Sequence, residues 1–357
     1  MTPDQYPSSL EKALTLWDER AAKFPHLHGF GISGTTEAPI YAFFVELLAP
    51  PEEVNALLEA AAEFTDRDRT QILRFDRFRE IPSPGIGKVP TKTSGPLQAG
   101  GDVFATNPKC GDGLVGTIGA FLQTSSGSNT RWLLSNYHIL ARGKGCEKPV
   151  KVYANAPQPV SEIVIPIELL DEPNGNVSDA ALAEMHGGLA ADPAHPVLSI
   201  TTAVTVRPAT GAILFKLGRG ARVAQGKVIY WCPRVEASSD TTTRIFTDQM
   251  FVGTPAQADP FILDGDSGSI AVVKNSMEVN PAGLLFVAFD SPPCGNCDLQ
   301  GTVPPFALVS PLDSVIKSFS GLIGTQLQLI VPSLTQAAHL ELQRLGKKPD
   351  TAEPLLS

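Results

Sequence analysis

From about Gly113 to Ser310 the chain alternates short apolar runs, rich in β-branched and aromatic residues, with clusters of turn residues. No other feature limits its fold so strongly. The runs read GTIGAFLQ, TRWLLSNYHIL, KPVKVYA, AVTVRPA, AILFKLG, GKVIYWCP, RIFTDQMFV, GSIAVVK and AGLLFVAF. Branched and aromatic side chains suit a pleated surface, and repeated short strands punctuated by turns predict a sandwich or barrels of mainly antiparallel strands. Glycine and proline supply 31 residues each of 357, above their usual joint share of about 12%, which argues against an all-helical bundle.

The first eighty residues have a different texture. Residues 8–23 set Leu10, Leu14, Trp17 and Ala21 at helical intervals with charges between them, the pattern of an amphipathic helix. GFGISG and Ile40–Leu47 read as strands, 52–64 as a helix opened by proline and carboxylates, and QILRFDRF as a further strand. This predicts a small α/β unit over residues 1–88. The stretch PSPGIGKVPTKTSGPLQAGG, residues 82–101, is rich in proline, glycine and small polar residues, so a boundary is placed there, with 89–101 as the linker. LDSVIKSFSGLI reads as a closing helix, and 326–357 as a partly mobile extension.

Net charge is −9, which leaves no general basic field for a polyanion, so nucleic acid is not an expected partner. Eighteen apolar residues never run together, and the N-terminus lacks a charged flank followed by an apolar stretch. A cytoplasmic protein with no membrane partner is the expectation. Five cysteines, Cys110, Cys146, Cys232, Cys294 and Cys297, are few and odd in number and are read as free thiols. Cys294 and Cys297 form a CGNC loop, but a closed metal site needs a second pair. His26 and His28 lack a carboxylate or thiol cluster in sequence, and the glycine-rich stretches lack a phosphate-loop ending. No cofactor and no metal are expected.

Chemistry concentrates at three places. Asp264-Gly265-Asp266-Ser267-Gly268-Ser269 is a glycine-flanked turn between apolar runs. A serine hydroxyl there becomes a useful nucleophile only with a base, a group orienting that base, and donors for a developing oxyanion. His138 stands at the end of the strand-like RWLLSNYHIL and offers the base. Asp179, in NVSDAALAEM, offers the carboxylate. Asp171 competes for that role, and DAALAEM also suits a capped helix. His186 and His195 are read as solvated loop residues.

The pieces WLLSNYHIL, SDAALA and GDSGS, in this order, resemble the chymotrypsin-like serine peptidases, and more closely their intracellular trypsin-like branch with plant narrow-leaf type and bacterial relatives. GDGLVGTIGAF upstream of the histidine is similar to that branch as well. The resemblance spans about residues 100–320 and implies a double antiparallel β-barrel peptidase domain at 102–325, mainly β, preceded by the α/β unit. It implies that Ser267 attacks a peptide carbonyl, His138 moves the proton, Asp179 orients the imidazole, and the amides of Gly265 and Ser267 form the oxyanion hole. Asp266 corresponds to the carboxylate that secreted members pair with a newly cut N-terminus. No such start is evident here, so either another group holds Asp266 or the loop orders only in an assembly or with substrate. Phe261 stands at the usual base of the specificity pocket, with Phe286 and Ala288 near its walls, which removes the carboxylate needed for cleavage after basic residues and implies a shallow apolar pocket. The expected activity is that of a serine endopeptidase acting on protein or peptide. The alternative is an inactive relative serving as a protein-binding scaffold. Apolar faces on the first and last helices would cover the barrels or meet a second copy.

Overall fold

The computed structural model describes residues 1–75, 79–80, 87–88, 95–107, 111–125, 130–141, 151–170, 175–219, 222–239, 242–276, 278–289, 299 and 301–332. The chain is mainly β, as expected, and its second half closes into an antiparallel barrel. Six strands form it: β11 (Ile213–Leu217), β12 (Val223–Ser239), β14 (Gln249–Pro255), β15 (Ile270–Lys274), β16 (Val279–Phe289) and β17 (Thr302–Pro311). Their order is β11-β15-β16-β17-β14-β12, and β12 returns to β11 to close the ring. Inward residues Leu214, Val228, Val252, Phe261, Ala271 and Leu285 fill the interior. A short strand β13 (Thr242–Phe246) folds back on the far half of β12.

Among the described residues, two sheets form the main part of the preceding β body, beside a short parallel pair of Leu97–Gln98 with Ala191–Asp192. In one, β9 (Ile163–Pro166), β10 (Ala181–Glu184), β7 (Arg131–Ser135), β6 (Ala120–Thr124) and the late strand β18 (Leu327–Leu329) lie in that order. In the other, β8 (Lys151–Tyr153) pairs with β5 (Asp102–Asn107). Val103, Phe121, Leu133, Leu140 and Val152 form the core between them. Helix α5 (Leu312–Ile323) puts Leu312, Val315 and Phe319 into a cluster containing Leu122 and Leu134 from this body and Ile270 and Leu284 from the barrel. The closing helix thus joins the two bodies through an apolar face.

The N-terminal segment folds as α1 (Leu10–Asp18), α2 (Arg20–Lys23), β1 (Leu27–Gly34), β2 (Pro39–Glu46), α3 (Pro51–Ala61) and β3 (Thr70–Phe75). Two helices stand where one was expected over 8–23. Strand β2 alternates cleanly. Tyr41, Phe43 and Val45 face α1 and α3, while Ala42 and Phe44 face a cluster holding Tyr230, Phe251 and Phe306 of the barrel. Burial on both faces explains the continuous apolar run in its sequence. The sheet is shared with the barrel, because β1 pairs with β12 from Gly29↔Val235 to Ile32↔Trp231. Gly31 permits this approach: a Cβ there would lie 2.6 Å from Cβ of Tyr230. AVTVRPA, expected as a strand, is irregular backbone over 203–209.

Candidate active site

The histidine and the acid are brought together by register. Strand β7 pairs with β10 so that Ser135 lies opposite Ala181, which sets the residues just after β7 beside those just before β10. The chain then turns into a short helix, α4 (Tyr137–Leu140), so His138 sits in a helical turn and not at the strand end that its apolar flank suggests. Asn136 leads into that turn and donates its side-chain amide to the Asp179 carbonyl at 2.7 Å. The backbone amide of His138 donates to Asp179 Oδ1 at 3.3 Å, and Nδ1 of the same ring bonds Oδ2. A strand follows Asp179, not the helix that DAALAEM also allowed.

The serine arrives from the other body. Gly116–Gly119 runs beside β7, with the Gly119 amide on the Leu134 carbonyl at 2.9 Å, and Thr117 reaches across to the GDSGS turn. The Thr117 amide donates to the Ser267 carbonyl at 2.7 Å, and its hydroxyl donates to the Gly265 carbonyl at 2.7 Å. Ser135 Oγ in turn donates to the Thr117 carbonyl at 2.8 Å. Gly265 and Gly268 have φ of 85° and 89°, a region that side-chain-bearing residues avoid. At Gly268 a Cβ would also lie 2.5 Å from the Thr117 carbonyl oxygen.

The result is a contiguous line from Asp179 through the His138 ring to Ser267, whose Oγ is 2.8 Å from Nε2. His138, Asp179 and Ser267 are 7%, 2% and 1% exposed. A neutral imidazole donating from Nδ1 to a carboxylate keeps Nε2 as the acceptor, so the ring is oriented to take the Ser267 proton. With Gly265 held by its carbonyl, the Gly265 and Ser267 amides donate to no protein acceptor among the described residues. They are the two amides that flank the turn beside the nucleophile.

Asp266 is held by a lysine. Lys216 on β11 forms an ion pair with Asp266 Oδ2, with both side chains almost wholly buried. Oδ2 also accepts from the Leu263 amide at 2.8 Å, and Oδ1 from the Arg219 amide at 3.3 Å. Burial lowers the Lys216 ammonium from its ordinary range, and Asp266 opposes that shift. The side chain of Arg219 makes a two-pronged bond to Asp102 of the first body, at 2.5 and 2.7 Å. Sequence reading saw AILFKLG as a strand but passed over Lys216. Alternation along β11 carried the signal, because it puts this lysine on the same inward face as Leu214.

The three residues expected at the specificity pocket are buried but do not share one cluster. Phe261 and Ala288 pack within the barrel core. Phe286 packs with Phe246 and Val287 in another cluster. His195, expected in solvent, is 1% exposed. Its Nε2 bonds the Gly218 carbonyl at 3.1 Å, and its Nδ1 receives the Val197 amide at 3.3 Å, so the ring is neutral and burial lowers its basicity.

Solved serine proteases are similar to this chain. Protease A of Thermobifida fusca shares 14% identity at a TM-score of 0.38, covering 67% of this chain and all of the other. A glutamic acid-specific serine protease shares 13% at 0.41, covering 66% of this chain and all of the other. The chymotrypsin of Cellulomonas bogoriensis shares 13% at 0.39, covering 67% of this chain and all of the other. No protein-family model matches the sequence, and no curated protein matches it.

Among the described residues no group of three or more histidine, cysteine, aspartate or glutamate side chains is arranged to hold a metal ion. His26 and His28 instead bond Glu53 at 2.6 Å and Glu236 at 3.0 Å. Cys232 is a buried free thiol. Cys110, Cys146, Cys294, Cys297 and Asp171 lie outside the described residues. Within them no helix is long and apolar enough to cross a membrane.

Proposed function

We propose that the protein is a serine endopeptidase. Ser267 attacks the scissile carbonyl while His138 Nε2 takes the hydroxyl proton. His138 then protonates the leaving amine, and a water attacks the acyl-enzyme by the same route in reverse. Asp179 keeps the ring in the required tautomer and stabilises its protonated form without accepting the proton. The developing oxyanion is met by the Gly265 and Ser267 amides, which is where a preformed dipole contributes most to the rate. The observation that carries this reading is the unbroken Asp179, His138, Ser267 line beside two amides that meet no acceptor among the described residues.

Lys216 gives Asp266 an ammonium partner from within the fold. On this reading the turn is ordered without a cut in the chain, and a freshly exposed N-terminus is unnecessary. Substrates are proteins or peptides, and the chemistry needs no cofactor.

A fluorophosphonate probe tests the proposal. It labels native protein at Ser267 and leaves Ser267→Ala and His138→Ala unlabelled, and a peptide library is cut by native protein alone. Absence of labelling at Ser267 overturns the reading in favour of a binding scaffold without turnover.

A further inference from the structure

The edge of the barrel beside Ser267 is occupied by the chain itself. On β16, pairing with β15 ends at Leu284. Leu285 is joined to the nucleophile turn instead: the Gly268 amide donates to the Leu285 carbonyl at 3.0 Å, and the Leu285 amide donates to the Ser269 carbonyl at 3.0 Å. The following stretch, Val287–Ala288, pairs with β17 on its other side. Its open side therefore begins where the serine turn leaves the sheet.

A peptide can lay its backbone along such an edge in extended form, satisfying its own amides and carbonyls while one carbonyl is carried toward Ser267. That position is taken by a strand of this chain, β4 (Arg79–Glu80). Glu80 lies opposite Val287 and Arg79 opposite Ala288, antiparallel. On its other side β4 runs parallel to β12 at Ser238. The cavity that remains beside it, walled by Asp179, Ser238, Phe286 and Val287, measures only about 10 Å³, roughly one water and too little for a peptide side chain. Seven residues on, the Gly87 amide donates to the Gly113 carbonyl at 2.9 Å, which holds Gly87 on the first body.

We infer that Arg79–Glu80 is an internal competitive strand, which excludes extended peptides from the edge beside Ser267 until it is displaced. The inference rests on the peptidase reading. It separates access to the nucleophile from access to the edge. A small reagent that needs only the serine reacts freely, whereas one that must lay down a backbone waits for β4 to leave.

Two irreversible probes applied to the full-length chain distinguish these cases: a small alkyl fluorophosphonate and a tetrapeptidyl diphenyl phosphonate. Arg79→Pro combined with Glu80→Pro removes both backbone donors of β4. Labelling by the peptidyl probe is expected to accelerate at least tenfold in this variant, with less than a twofold change for the small probe. A synthetic peptide of residues 76–86 added in trans restores the slow rate. Equal peptidyl rates in the two proteins, with the small probe active on both, overturn the inference and leave the peptidase reading standing. Failure of both probes on both proteins overturns the peptidase reading and the inference with it. Native protein supplies a measurement independent of the variant's folding. After peptidyl labelling, hydrogen exchange across residues 79–80 rises at least tenfold, and after labelling by the small probe it does not. Unchanged exchange in both overturns the inference.

Discussion

Lys216 carries more consequence than any other single side chain outside the Asp179, His138, Ser267 line. A fully buried ammonium is stable only against a buried carboxylate, and removing one member of such a pair costs about 3–5 kcal/mol because the other charge is left unpaired. Here the carboxylate belongs to Asp266, flanked by Gly265 and Ser267. Lys216→Met is therefore expected to lower kcat/KM on a peptide substrate by about a hundredfold, the scale of losing an oxyanion donor, and to lower the urea midpoint. The pH dependence has a definite sign. Burial lowers the Lys216 ammonium from 10.5, so as pH rises through that lowered value the proton leaves and Asp266 loses its partner. Activity should fall on the alkaline side below pH 10.5. Lys216→Arg, which keeps its charge, should move that limb upward in a kcat/KM profile. A limb that stays in place argues that another group controls it.

Turns and loops decide how the elements meet. Thr117 ties the nucleophile turn to the first body through an amide and a hydroxyl. Thr117→Val keeps shape and removes only the hydroxyl bond to the Gly265 carbonyl, so about 1 kcal/mol of stability should be lost. The freed carbonyl can then rotate, and fluorophosphonate labelling is expected to slow about tenfold. The loop carrying His195 has its own signature. Its ring is buried and neutral, bonding the Gly218 carbonyl next to Arg219. A histidine whose basicity is lowered by folding contributes stability that is fully present above about pH 6.5 and is lost as pH falls through its lowered folded value. Denaturant titrations should show stability declining on the acid side of that range, and His195→Ala should flatten that decline.

At the scale of the molecule, the N-terminal strands and the barrel share one sheet through the β1 and β12 pairing. Such a sheet is expected to unfold as one unit, because melting β1 strips partners from β12. Three tryptophans make this measurable. Trp17 reports the N-terminal cluster, Trp231 the barrel interior, and Trp132 the cluster shared with α5. Single-tryptophan variants should give coincident urea midpoints by fluorescence. An earlier transition at Trp17 alone would establish an independently folding N-terminal unit.

Local pattern was enough for the mainly β character, for a strand at β2 and for the closing helix, because alternation, turn residues and side-chain type are properties of neighbouring positions. Residue type and order along the chain singled out Asp179, His138 and Ser267 as candidates, and the fold brings the three within hydrogen-bonding distance in a line. What needed the folded molecule were relations between distant positions. The helical turn at Tyr137–Leu140 is held by bonds from Asn136 and His138 to Asp179, which lies just before β10. AVTVRPA resembles a strand in composition but gains no strand partner, and Val206 makes its backbone bond to Pro281 outside any named strand pairing. Lys216 needed a buried anion that only the barrel's closure supplies. Arg79–Glu80 gained strand pairing because two distant strands, β16 and β12, each offered it backbone groups. Pairing of backbone and of buried charge is a property of the whole chain, and no window of sequence contains both partners.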